Sequence, residues 1–312
     1  AEKVEKVCIV GNPAMEQLFL GISPENLVQI PFFPVLTEAK RIPCADVLPA
    51  CPNAELLIVP DISGYIGADT LGCLLATGMY EKEEMTLMVD IGTNGEMVLG
   101  NKNRRISCST AAGPAFEGVG ISMGMRAAAG AIDKVELVGG ELLAHVIGGG
   151  SPRGICGSGL VDAAATMLLR GDLDESGDME ESSTVIAAPV SLSAEDIRVL
   201  QLAKSAICAG MLTLMEAEAA NASELDALYV AGGFGHFLNV RNAARIGLFP
   251  TGMAAKVSAV GNAALAGATL LLLSADERQR AEEIAEKATL LSLASNPTFS
   301  RHYFEGMRFG ER

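Results

Sequence analysis

Asp90-Ile-Gly-Thr-Asn-Gly-Glu96 lies between two apolar runs, Met85–Val89 and Met97–Leu99. The runs read as an antiparallel strand pair, and the glycines supply the turn between them. A strand that ends in a carboxylate and turns through glycines can do chemistry, because successive backbone N–H groups can point at phosphate oxygens. Gly92 and Gly95 give the bare backbone, and Thr93 and Asn94 can add side-chain donors. Asp90 is placed to hold a hydrated Mg2+, an ion that takes few carboxylates and keeps several waters. The competing reading is an Asn-Gly hairpin turn that needs positive φ and no ligand. The chain has no GxxxxGK loop and no GxGxxG fingerprint, so the common phosphate sites at helix starts are absent.

Downstream, Arg105–Ser109 reads as a third strand of the same meander. Thr110-Ala-Ala-Gly-Pro-Ala-Phe-Glu117 then places small residues before a helix predicted over Ala115–Met123. A helix N-terminus favours an anion, with Ala112, Gly113, Pro114 and Glu117 as candidates; close packing of helix on sheet is the alternative. Gly157-Ser-Gly159, before a helix reaching Leu169, is a weaker case of the same kind. Ser193-Ala-Glu-Asp196 resembles a capping box ahead of a helix with Leu200, Ala203, Ile207, Met211 and Leu214 on one face. Lys204 breaks that face. It reads as a surface lysine lying along apolar neighbours, or as a contact to a ribose or base. Leu228–Ala231 is a strand ending in Gly232-Gly-Phe-Gly235, where a flat group can lie on bare backbone or the chain can simply turn. Lys256–Val260 reads as the last strand, Ala263–Leu273 as a buried helix and Ala275–Lys287 as a charged amphipathic helix.

Upstream, Val7–Val10 is a strand, and Asn12 can cap a helix with Pro13 at its first position. Ile30–Pro60 is rich in proline and reads as an ordered, irregular excursion, with a short strand at Leu56–Val59. Asp61–Asp69 is a glycine-broken loop leading to a helix over Thr70–Thr77. Strands and helices alternating around one meander predict an α/β fold, a mixed sheet flanked by helices.

Composition narrows the classes. The 312 residues are 49% hydrophobic, lack Trp and carry a net charge of −15. That charge argues against nonspecific binding to nucleic acid or to an anionic membrane. The seven cysteines form no CxxC pair, and neither they nor the three histidines have metal-ligand spacing. Reduced thiols in a cytoplasmic protein are expected. No run reaches the roughly 20 apolar residues expected of a membrane span. A core-type strand starts almost at Ala1, which suggests a fragment or processed product of a longer chain.

The order of the motifs is more specific than any one of them. Asp61–Met79 resembles the first connecting motif of actin-like ATPases, and Asp90–Glu96 their second phosphate motif. Tyr229–Gly235 is similar to their adenosine motif and Gly261–Gly267 to their second connecting motif. More closely, Val10–Met15, Asp90–Glu96, Ala111–Gly118, Ile155–Gly159 and Gly232–Gly235 resemble the C-terminal part of the reductive activators of corrinoid proteins. The resemblance implies a ribonuclease-H-like, actin-like ATPase fold with the start of its first subdomain missing. Residues 1–84 would be the latter part of that subdomain, 85–274 the second subdomain, and 275–312 a C-terminal helix and tail packing back on it.

The same resemblance implies ATP or ADP and Mg2+ as ligands. Asp90 would hold the metal, Gly92, Thr93, Asn94 and Gly95 the phosphates, and Gly232, Gly233, Phe234 and Gly235 the adenosine. Asp69 or Glu96 would orient water. Members of the family use a 2Fe-2S ferredoxin domain, expected upstream, to return cob(II)alamin to the Co(I) state on a partner. That partner would be a corrinoid iron-sulfur protein or the corrinoid subunit of a methyltransferase. No ferredoxin-type cysteine cluster stands in this sequence, so no cluster is expected in the chain itself. A homodimer is a further expectation. Two other readings stay open: a corrinoid-protein docking module with an incomplete nucleotide site, and a small-molecule kinase.

Overall fold

The computed structural model describes residues 3–29 and 34–311. The start of the proline-rich stretch, positions 30–33, lies outside them. The strands are β1 (Lys6–Ile9), β2 (Lys40–Pro43), β3 (Glu55–Ile58), β4 (Met85–Ile91), β5 (Gly95–Gly100), β6 (Arg105–Thr110), β7 (Ala131–Val138), β8 (Glu141–Val146), β9 (Gly154–Ile155), β10 (Ser183–Ala187), β11 (Val190–Ser193), β12 (Leu225–Ala231), β13 (Val257–Gly261) and β14 (Ala288–Leu290). The α-helices are α1 (Pro13–Phe19), α2 (Ala68–Thr77), α3 (Gly157–Arg170), α4 (Ala194–Ala217), α5 (Gly233–Phe237), α6 (Val240–Arg245), α7 (Ala263–Leu273), α8 (Ala275–Lys287) and α9 (Pro297–Glu305).

Two sheets carry the architecture. The larger runs β13-β12-β4-β5-β6-β14 and the smaller β1-β3-β2. In the larger, β13, β12 and β4 are parallel, β4-β5-β6 is the antiparallel meander, and β14 adds parallel to β6. β4 is buried on both faces, which is why it reads as a continuous apolar run. Leu87, Val89, Ile91, Met97 and Leu99 pack toward α3 and α4, while Met88 and Val98 face α2, α7 and α8. Those three helices also cover one face of the smaller sheet, through Cys8, Val10 and Val59. The layers are therefore small sheet, helices, large sheet, helices.

α4 begins at the expected capping box, with Ser193 Oγ accepting from the Asp196 N–H and Asp196 accepting from the Ser193 N–H. Asp196 also accepts from the N–H and hydroxyl of Ser122, at 2.6 and 2.8 Å. α4 is long and apolar enough to cross a membrane, but it lies buried between the large sheet and α9. α2 crosses α7 so closely that a Cβ on Gly267 would lie 2.1 Å from Gly72 O.

Several expectations are corrected. Residues 40–43 of the proline-rich excursion form a strand. Ala263–Leu273 is helical, but only the face carrying Ala263, Gly267, Ala268 and Leu271 is buried; Leu265, Leu270 and Leu273 are exposed. Residues 257–261 are not the last strand, because β14 follows. The hairpin β7-β8 and helix α9 stand where the sequence reading made no assignment.

Candidate functional site

Pairing of β4 with β5 runs as far as Ile91 with Gly95, leaving Gly92-Thr93-Asn94 as the loop. The Gly92 N–H closes it by donating to Asn94 O at 2.9 Å. Gly92, Asn94 and Gly95 all lack positive φ, so the loop is not the Asn-Gly hairpin turn weighed from sequence. Gly95 is buried, and a Cβ there would lie 2.3 Å from Ile207 Cδ1 on α4, so packing explains that glycine. Thr93 and Asn94 are exposed. Thr93 is held from one side: its carbonyl accepts from the Gly113 N–H at 2.9 Å, and its hydroxyl donates to Glu117 Oε1 at 2.6 Å.

Two glycine turns flank this loop in the same rare backbone conformation. Gly113 has φ 78° and ψ 162°, and Gly232 has φ 88° and ψ 163°, a region essentially reserved for glycine. A Cβ on Gly232 would sit 2.8 Å from Asp90 Oδ1. One on Gly113 or on Gly233 would meet nothing within 4 Å, so bare backbone faces open space there. Past the turns, Phe116 and Phe234 stack, with ring centroids 4.8 Å apart. Gly235 packs against Val230. The helix predicted over Ala115–Met123 is only a four-residue 3-10 turn, Pro114–Glu117, ended by Gly118 and Gly120 at positive φ. Ala112, Gly113 and Pro114 therefore do not form the start of an α-helix, and any anion there would meet individual N–H groups rather than a helix dipole.

Carboxylates gather beside the loop. Glu96 stands opposite Asp90 in the β4-β5 register. Asp69 lies in the first turn of α2, with its own side chain accepting from the Thr70 N–H at 2.8 Å. Burial first, then the charges of Asp69 and Asp90, pushes Glu96 up to about 8. Burial, then Asp69, raises Asp90 to about 6, while a contact from Cys73 Sγ at 3.8 Å favours its charged form. Asp69 is raised mainly by burial. Behind them, Asp61 and Glu16 are 5% and 4% exposed, and none of their carboxylate oxygens has a hydrogen-bond partner of normal geometry. Burial raises Asp61 to about 8 and Glu16 to about 9, with Asp69 adding to both; the Ala68 and Gly11 amides lie near enough to oppose this. Among the described residues, no Lys or Arg ion-pairs with any of these five groups.

An oxygen-only donor set suits a hard cation, whose charge would favour the ionised form of these carboxyls. Among the described residues, no three His, Cys, Asp or Glu side chains converge closely enough to hold one ion directly.

The structure thus brings Asp69, Asp90, Glu96, Gly92–Asn94, Gly113, Glu117 and Gly232 together. Lys204 belongs elsewhere. It is fully buried, not a surface lysine; its Nζ donates to Arg308 O and lies 4.9 Å from the Phe309 ring centroid. The C-terminal tail covers it, and no local pattern in α4 could show that. Glu16, Asp61, Cys73 and Phe116 were not singled out from sequence. Asp61 had a usable signal, since it follows the end of β3 as Asp90 ends β4. Glu16 had none: in α1 the apolar Met15 and Leu18 are exposed, while Glu16 and Gln17 are buried.

Glycine turns converging on a carboxylate-bearing hairpin, on a two-sheet α/β frame, place the fold in the class of the actin-like ATPases. A family described as the C-terminal domain of RACo, the ASKHA domain, matches residues 84–312, and the RACo middle region matches residues 1–82. The chain belongs to this RACo family. It is similar to "Corrinoid activation enzyme RamQ" of Eubacterium limosum, with 35% identity over 96% of this chain and 55% of the relative. It is also similar to "[Co(II) methylated amine-specific corrinoid protein] reductase" of Methanosarcina barkeri, with 30% identity over 96% of this chain and 62% of that one. A solved "Reductive activator for corrinoid,iron-sulfur protein" superposes with a TM-score of 0.90 at 34% identity, covering 99% of this chain and 53% of that chain. The chain therefore spans little more than half the length of these relatives.

Proposed function

We propose that this chain is the nucleotide-binding, ATPase portion of a reductive activator that uses ATP to help reduce cob(II)alamin to cob(I)alamin on a corrinoid protein. The observation that carries the reading is the convergence of two glycine-only turns, at Gly113 and Gly232, on the loop that follows Asp90. Gly92, Thr93 and Asn94 would hold phosphates, with Gly113, Glu117 and the segment Ala112–Pro114 closing one side. Gly232–Gly235, with Phe234, would bear the adenosine. Asp90 would hold Mg2+, which supplies charge neutralisation on the phosphate oxygens. Asp69 and Glu96 would orient water, their raised affinity for protons suiting them to accept one.

ATP would not supply the electron. It would favour one arrangement of the two-sheet frame and so alter the complex with the partner, which requires different affinity for the two states. The electron would come from a 2Fe-2S ferredoxin domain of the same polypeptide. The partner would be a corrinoid iron-sulfur protein or a methyltransferase corrinoid subunit, in the cytoplasm, with a homodimer as the working form. Residues 1–84, 85–274 and 275–312 would act as its successive structural units.

A docking module without nucleotide turnover is the second reading. It is favoured by Thr93 and Gly95, whose hydrogen bonds and packing are already accounted for without a ligand. Calorimetry of the chain with MgATP, and separately with a corrinoid protein, separates the two. Saturable MgATP binding that Asp90→Ala abolishes is expected. Partner binding with no heat from MgATP would replace the first reading with the second.

A further inference from the structure

On the far side of the smaller sheet from α1 lies a cavity of about 120 Å3. Its floor is one row across three strands: Cys8 pairs with Leu57 in β3, and Leu57 pairs with Arg41 in β2, so all three side chains share a face. Its roof is Leu271 of α7 with Arg278, Ala281 and Glu282 of α8, and Lys40 stands at the rim. The floor thus belongs to the region matched over 1–82 and the roof to the region matched over 84–312.

The charges here run against those of the molecule. A chain of net charge −15 has 23 Lys and Arg in all, yet Arg41 and Arg278 both line this one cavity, with Glu282 as the opposing acid. Among the described residues, neither guanidinium makes an ion pair. Arg278 donates from Nη1 to Leu271 O at 2.6 Å, but its Nε–H is buried with no acceptor. A buried donor without a partner is costly, and a charged one more so. Burial pushes the Cys8 thiol up to about 11, so it adds no negative charge to the floor. The volume approaches that of a cavity of about 150 Å3 that admits benzene, so a phosphate-sized group fits.

We propose that this cavity binds a small oxyanion of the phosphate class, seated between Arg41 and Arg278. Guanidinium pairs recognise phosphate oxygens through charge-assisted hydrogen bonds. An anion bridging the two arginines would tie the small sheet to α8 and so couple the two matched regions.

The test is titration of inorganic phosphate into the chain by calorimetry, with chloride holding ionic strength constant. One saturable site is expected, and Arg41→Gln, a change at an exposed position, should weaken it about 10–100-fold. Arg278→Lys should weaken it while the folded state, checked by circular dichroism, persists. Asp90→Ala should leave it unchanged. Glycerol phosphate as a competitor distinguishes an organic phosphomonoester from free phosphate, and either keeps the site. Absence of saturation, or equal affinity in Arg41→Gln and the parent, overturns the proposal. So does loss of binding in Asp90→Ala, which would place the phosphate at the hairpin loop instead.

Discussion

At Gly232 one backbone conformation and one contact coincide. Its φ of 88° excludes ordinary side chains, and a Cβ would press on Asp90 Oδ1. Gly232→Ala should therefore cost about 1–3 kcal/mol of stability, read by denaturant unfolding. It should also displace the Asp90 carboxylate. A variant as stable as the parent would show that the turn relaxes freely. Sequence could mark Gly232 as a turn glycine, because it follows an apolar strand. It could not show that the neighbour beneath it is Asp90, since that contact joins two strands far apart in the chain. The burial of Lys204 was illegible for the same reason: Phe309, which covers it, is more than a hundred positions away.

Helix α4 shows how far a local pattern reaches. The capping box and the stripe from Leu200 to Leu214 were readable, because both depend on residues within a few positions of each other. Asp196 does more than a cap, since it also holds Ser122. Ser193→Ala should cost about 1 kcal/mol. Asp196→Ala should cost more, about 1.5–3 kcal/mol beyond the cap, because hydrogen bonds to a charged group are lost together. Equal losses in the two variants would mean that the Ser122 contacts contribute nothing. α7 gives the contrasting case. Its uniform apolarity hides which face is buried, and the contacts with α2 decide it. Leu271→Ala should cost about 2–5 kcal/mol, whereas Leu273→Ala at an exposed position should stay within about 0.5 kcal/mol. The β7-β8 hairpin was legible in principle, since Gly139-Gly140 joins two apolar-rich runs and both glycines have positive φ. The predicted helix at 115–123 failed because Gly118 and Gly120 take positive φ and turn the chain, a break that the two glycines already signalled in the sequence.

Over the whole molecule, the acidic groups set a pH dependence. Glu16 and Asp61 hold protons in the fold up to about 9 and 8, against ordinary values of 4.5 and 3.8. Above about pH 4 the unfolded chain sheds those protons first, so the native state binds more of them and stability falls as pH rises toward 9. The fall should be on the order of several kcal/mol between pH 5 and 9. The double variant Glu16→Gln with Asp61→Asn should flatten it, as measured by urea midpoints across that range. A parent with a flat profile would contradict the burial of these groups. The layered fold itself was legible, because alternation of strands and helices needs only local periodicity. The acid cluster was not, since its members come from α1, a loop, α2, β4 and β5.

That cluster also has a calorimetric signature. A cation arriving beside Asp90 favours the ionised form of every neighbouring carboxyl, so protons leave for the buffer as it binds. Each released proton carries the buffer's own heat of ionisation. Titrations of MgATP in phosphate-free buffers of high and low ionisation heat should therefore give different apparent enthalpies at the same pH. The difference, divided by the difference in buffer heats, gives the net number of protons released as the ligand binds.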